Sequence, residues 1–232
     1  MFDHSSLFSS LGEADQALLR KHMTSMELTN GHVLYEPGDH VDHAYFPLGP
    51  SLASFLVVME DGRSIETAMI GNEGAIGGIV SHGLLPAFSR ACVMHSGPFL
   101  RIASRNLEAA KNESAAIRNL FTRYADCLMA QVFQSVACNA VHPLGQRAAK
   151  WLSAAVERTG TQEITITQDQ LASFLGVGRS YVSRMLQRLR AQKLIETRRG
   201  GIAVRSPETL KRMACNCNGL VRDHFATVLT DI

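Results

Sequence analysis

The sequence predicts an α+β fold: an N-terminal antiparallel β-roll, a long central helix, and a C-terminal winged helix-turn-helix. Three observations carry this. Short β-type runs broken by turn residues fill Gly31 to Ile102. Apolar residues then recur every three to four positions from Leu107 to Ala140. Finally, residues 167–190 read as a short capped helix, a glycine turn and a basic helix.

The 232 residues, 46% hydrophobic and 19% charged, describe an ordinary globular chain with room for two modest domains. No stretch approaches the roughly 20 uncharged apolar residues of a membrane span. The segment 1–16 lacks the basic start and apolar run of a signal peptide. A cytoplasmic protein without membrane contact is expected. The five cysteines are an odd number in apolar surroundings, which reads as reduced thiols.

The net charge of +2 is unevenly spread: residues 1–146 hold 9 Lys/Arg against 14 Asp/Glu, and residues 147–213 hold 13 against 5. A basic module on an acidic front half suggests a polyanion-binding unit.

Ser10 and Glu13 read as a capping box opening a helix to about His22, with Leu11, Ala14, Leu18 and Leu19 as its stripe. Strands are expected at His32–Tyr35, Ala44–Pro47, Leu52–Met59, Ser64–Ile70, Arg90–His95 and Phe99–Ile102. Asp61-Gly62 between two apolar runs signals a hairpin, because glycine accepts the positive φ of a tight turn. Short strands at this spacing point to a barrel or roll.

In the long helix, Ile117, Leu120, Tyr124, Leu128, Gln131/Val132 and Ser135 form a stripe that Ala116, Phe121, Cys127 and Val136 widen. A surface this apolar is expected to need a partner helix, so Ile117, Leu120, Tyr124, Leu128 and Val132 are assigned to a dimer interface. His142-Pro143 interrupts the helix, and Leu144–Arg158 forms the next one, followed by a short strand, Glu163–Ile166.

Thr167 and Gln170 then form a capping box, Ala172 is small where a second helix crosses, and Gly176 suits the positive φ of the turn. Val182 and Met185 face inward with Leu171, Leu175 and Val177. The outer face carries Arg179, Ser180, Tyr181, Ser183, Arg184, Gln187 and Arg188, most of them types that bond phosphates and base edges. Residues 194–205 read as a hairpin whose tip presents Arg198 and Arg199 to phosphates. With Thr167 and Gln168 at the helix entry, these are the candidate contacts to double-stranded DNA.

At these residues the chain resembles the Crp/Fnr family of regulators. The resemblance rests on Gln146–Leu152, Leu175–Val177, Arg199–Ile202 and Ala214–Cys217 and extends over nearly the whole length. It implies a cyclic-nucleotide-binding-like roll over 1–112, a dimerisation helix over 113–141 and a winged helix-turn-helix over 142–232. It implies base reading by Arg179, Ser180, Ser183 and Arg184; serine at 180, often glutamate in the family, alters the expected half-site.

In the sensor half the implied ligand positions are Gly77, Gly78, Arg90 and Ala91. The ribose-binding carboxylate is replaced by Gly78, the loop His82–Phe88 is longer than usual, and Val132 and Phe133 stand where hydroxyl side chains meet adenine. Binding of cyclic AMP is therefore not expected, although Arg90 could still hold an anion. The expected partners are DNA, a second copy of the chain and RNA polymerase.

No cofactor is expected and no metal site is assigned. The N-terminal cysteine cluster of an iron–sulfur sensor is absent, since the first cysteine is Cys92. Cys215-x-Cys217 is too short a metal motif without further ligands, and Asp39-His40-Val41-Asp42-His43, with His32 nearby, reads as a solvated turn. No nucleophile–base pair or phosphate-binding lysine loop marks an enzyme.

Overall fold

The computed structural model describes residues 5–79 and 85–229. Strands β1 (Met23–Leu28), β7 (Gly97–Ala103) and β3 (His43–Pro47) form one antiparallel sheet, in the order β1-β7-β3. Strands β2 (Val33–Tyr35), β6 (Arg90–His95), β4 (Leu52–Val58) and β5 (Ser64–Ile70) form the second, in the order β2-β6-β4-β5. The β4–β5 turn closes with Gly62 at φ 81° and its N–H donating to Met59 O at 2.9 Å, as Asp61-Gly62 predicts. Strand β1 escapes sequence reading because its residues, MTSMEL, lack apolar alternation; only Leu28 is buried.

Two helix boundaries differ from expectation. Helix α1 spans Glu13–Arg20 and has Gly12 at its N-cap, with no capping box. The Ser10 hydroxyl instead donates to Leu7 O in the 3-10 turn Ser6–Phe8 that precedes it. The long helical stretch is two helices, α2 (Ser104–Glu113) and α3 (Ala115–Val141). Ser114 leaves helical geometry and its hydroxyl accepts the Ile117 N–H at 3.2 Å, which starts α3 afresh.

Helix α3 does not rely on a partner for its main stripe. Ile117, Leu120, Phe121, Tyr124 and Cys127 are fully buried by this chain's own Leu7, Phe8, Phe46 and Phe225. The Tyr124 hydroxyl accepts from Ala75 N and donates to Ala75 O, both at 2.9 Å. A Cβ on Gly74 would strike that hydroxyl. Leu128 joins the interior of the roll and Val132 is half-buried. The assignment of Ile117, Leu120 and Tyr124 to a dimer interface is thereby corrected. The covering elements are the N-terminal turn and α8 (Cys217–Leu229), which lies along α3.

Helix α4 (Leu144–Thr159) and the winged unit share one apolar core with the four-stranded sheet. Leu52, Leu56, Met69, Cys92 and Met94 meet Trp151, Leu171, Phe174 and Leu186 in it. Polar bonds pin the same junction. Trp151 Nε1 donates to Glu66 Oε1 and Ser54 Oγ to Glu66 Oε2, each at 2.9 Å. Arg158 pairs with Glu73 at 2.8 Å, and Ser173 exchanges two 3.0 Å bonds with the Ser64 backbone.

Burial raises the pKa of the Glu66 carboxyl above its usual range, despite the bonds from Trp151 and Ser54. A raised folded-state pKa means that stability is fully present below the unfolded value and is lost as pH rises through the folded one. Glu66→Gln keeps the shape and mimics the protonated acid. It is expected to flatten this loss, so that the variant's melting temperature exceeds wild type at pH 8 and matches it at pH 4.5. Parallel melting curves across that range check it.

Candidate nucleic-acid interface

Helix α5 (Gln168–Phe174) begins at the predicted capping box. Thr167 Oγ1 accepts the Gln170 N–H at 3.1 Å and Gln170 Oε1 accepts the Thr167 N–H at 2.9 Å. Gly176 turns the chain at φ 67°, and α6 (Arg179–Ala191) follows. Val182, Met185, Leu186 and Leu189 are buried beneath α6, which fixes the face left outside.

That face presents Arg179, Ser180, Tyr181, Arg184, Gln187 and Arg188 to solvent, with Ser183 half-buried among them. Thr167 is exposed and Gln168 half-buried at the start of α5. The Arg184 guanidinium lies 4.8 Å from the Tyr181 ring centroid, a cation–π contact that orients it. Its i,i+3 spacing was visible in the sequence, but its consequence was missed. Arg179 pairs with Asp169 at 3.2 Å; both are well exposed, so the pair orients more than it stabilises. Arg190, also exposed, extends the basic surface toward the end of α6.

The wing is the hairpin β9 (Ile195–Arg198) and β10 (Gly201–Val204), with β8 (Glu163–Ile164) on the other side of β10. Gly200 takes φ 76° at its tip. Its two arginines divide. Arg198 is tied to Glu163 at 3.2 Å, whereas Arg199 is exposed and has no ion pair among the described residues.

Residues 146–213 match the family model described as the Crp-like helix-turn-helix domain. A transcriptional regulator of the Crp/Fnr family from Eubacterium rectale superimposes with TM-score 0.69 at 18% identity, covering 91% of this chain and 98% of that one. The chain has the fold of Crp/Fnr regulators, and its residues 146–213 carry their helix-turn-helix domain. FixK2 from Bradyrhizobium japonicum aligns with TM-score 0.68 at 15% identity over 83% of this chain and 98% of its own. The c-di-GMP responsive global regulator CLP from Xanthomonas campestris gives 0.67 at 14% identity, over 83% and 99%. At these identities the likeness to solved structures establishes the fold. No curated protein sequence matches the chain.

Within this fold, the implied ligand positions lie in and beside the roll. Gly77 takes φ 85°, and a Cβ there would meet the His43 carbonyl. A Cβ on Gly78 would meet Ser104 Oγ, itself bonded to Val41 O at 3.0 Å. A glutamate at 78 therefore cannot be accommodated unless Ser104 moves. Ala91 is buried in the roll, where Tyr35, Tyr45, Phe55, Ile76 and Leu128 form one apolar cluster.

Arg90 instead pairs with Glu36 at 2.8 Å, a hydrogen bond that raises its pKa. It lines a cleft of about 360 Å³ between the roll and α5, with Asn30, Met94, Asp169 and Phe174. On α3, Phe133 is 64% exposed and turned outward, and Val132 is half-buried. Gln131 turns inward, its Nε2 donating to Met69 O at 2.9 Å. Of the loop His82–Phe88, residues 82–84 lie outside the described residues. No helix among the described residues is long and apolar enough to cross a membrane.

Proposed function

We propose that the protein is a homodimeric transcription regulator that binds double-stranded DNA sequence-specifically and does not answer to cyclic AMP. The observation that carries the first part is the open, basic outer face of α6. Its inner face is buried, and no other described element covers Arg184 or Arg188. Such a helix fits the major groove of B-DNA. RNA polymerase is the protein partner that this reading implies.

A second apolar face of α3 supports the dimer. Met129, Phe133 and Val136 are 48%, 64% and 65% exposed and recur at i, i+4 and i+7, with exposed Ala140 continuing the line. Side chains at this spacing lie on one face and suit a parallel copy of the same helix. The apolar interior of the roll and the lack of room at Gly78 support a sensor closed to cyclic AMP. A ribose hydroxyl and a phosphate buried there would lose hydrogen bonds worth about 1–3 kcal/mol each.

One experiment tests both parts. Purified protein is used to select from random duplexes, and the selected site is titrated with and without cyclic AMP. The expected result is a two-fold-symmetric site with half-sites centred about 10 bp apart, bound equally tightly in both conditions. Enrichment of no sequence would overturn the DNA-reading function. Several-fold tightening by cyclic AMP would overturn the closed sensor.

A further inference from the structure

Four chemistry-bearing side chains, distant in sequence, converge at the far end of α3. Cys138 and His142 stand four residues apart, at its last turn and its C-cap. Cys215 and Cys217 come from the joint between α7 (Pro207–Met213) and α8. The three thiols form a buried cluster of their own, apart from the large apolar cores, and His142 is half-buried beside them. Cys138 Sγ lies 3.6 Å from Cys215 Sγ, and Cys217 Sγ lies 3.5 Å from His142 Nδ1. All four donor atoms fall within 4.8 Å of one another.

We propose that Cys138, His142, Cys215 and Cys217 are the ligands of a mononuclear tetrahedral metal site of the zinc class. Zinc–sulfur bonds of about 2.3 Å at tetrahedral angles put neighbouring sulfurs about 3.8 Å apart, and sulfur and imidazole nitrogen slightly closer. The Cys138–Cys215 and Cys217–His142 separations are already close to these values, and a small contraction closes the set. An iron–sulfur cluster would hold its thiolates farther apart, because they bind different irons. Three thiolates and an imidazole select a soft or borderline ion over magnesium or calcium.

The surroundings complete the site. Gln134 Nε2 donates to Cys217 Sγ at 3.2 Å, the kind of bond that orients a ligand thiolate. Asn218 Nδ2 donates to Lys150 O at 3.2 Å and ties the Cys-x-Cys turn to α4. Gly219 leaves room for the Asn216 side chain inside that turn. A divalent ion on three thiolates and a neutral imidazole leaves one net negative charge, and binding releases three thiol protons to solvent. Lys150, which borders a small cavity with Gln134, Cys217 and Asn218, supplies an opposing charge. The partly exposed edge of His142 gives the ion its way in.

The site joins three segments that belong to different parts of the fold. It holds the end of α3, the His142-Pro143 break from which the DNA-binding unit begins, and the start of α8, which returns along α3. Its ion therefore fastens the DNA-binding unit to the long helix.

The test uses the reduced full-length protein and cobalt(II) as the probe. One equivalent is expected to give the strong visible bands of tetrahedral cobalt together with thiolate charge-transfer absorption, and zinc is expected to displace it. Cys92→Ser is expected to bind as wild type, whereas Cys215→Ser and Cys217→Ser lose stoichiometric binding. A readout on wild type alone avoids dependence on the variants' folding: alkylation followed by mass spectrometry. Zinc is expected to shield Cys138, Cys215 and Cys217, a chelator to expose them, and Cys92 and Cys127 to respond to neither. Absence of stoichiometric binding, an octahedral spectrum, retention of binding by Cys215→Ser, or a Cys138–Cys215 disulfide that forms with no ion bound would each overturn the proposal.

Discussion

Replacing Arg184 by alanine is expected to abolish the preference for one guanine in each half-site while leaving binding to random DNA largely intact. Arg184 lies on the exposed face of α6, opposite the buried Val182 and Met185, and stacks on Tyr181, which pre-orders its fork. A guanidinium so held can donate to both acceptors on the major-groove edge of guanine, a pairing worth about 1–3 kcal/mol of discrimination. Arg199 at the wing tip has the opposite signature. A phosphate contact positions the protein without reading sequence, so Arg199→Ala weakens all duplexes alike and reduces the salt slope by about one unit. Titrations of both variants against the selected site and random DNA at several salt concentrations separate the two behaviours. Equal loss on both DNAs for Arg184→Ala would show that α6 is not the reading element.

The second large effect is expected at Phe133. Glutamate there sets like charges against each other across the proposed two-fold and forfeits the aromatic contact. Sedimentation is expected to show a monomer. Affinity for the symmetric site should fall about 10²- to 10⁴-fold, because two half-sites are no longer bound by one tethered particle. The fold itself should persist, since Phe133 is 64% exposed and takes no part in the core. Tyr124→Ala is the contrast. It empties a fully buried site and strands the Ala75 N–H and C=O, at a cost of about 3–5 kcal/mol or more, so the chain itself loses stability. A dimeric Phe133→Glu protein, or a Tyr124→Ala protein as stable as wild type, would reverse the assignment of the two faces of α3.

The two outcomes on α3 mark where local pattern stops informing. The winged helix-turn-helix was legible residue by residue because each constraint in it is local. A capping box needs Thr167 and Gln170 three apart, a turn needs Gly176 at positive φ, and an amphipathic helix needs Val182 and Met185 on the face opposite Arg184. The turn at Asp61-Gly62 and most strands of the roll were legible for the same reason. Periodicity also showed that Ile117, Leu120 and Tyr124 are buried, but it carries no information about what buries them. Only the tertiary structure decided that, by bringing Phe8 and Phe225 from opposite ends of the chain onto α3.

The same reason hid the four-ligand cluster. Cys215-x-Cys217 alone offers two ligands, and the other two lie more than seventy residues away on another helix. The sequence by itself thus determined most of the elements and the exposed basic face of α6, which follow from neighbouring residues. Which surfaces remain open, which partner covers each buried stripe and which thiols meet depend on contacts between segments far apart along the chain. Folding alone brings those segments together.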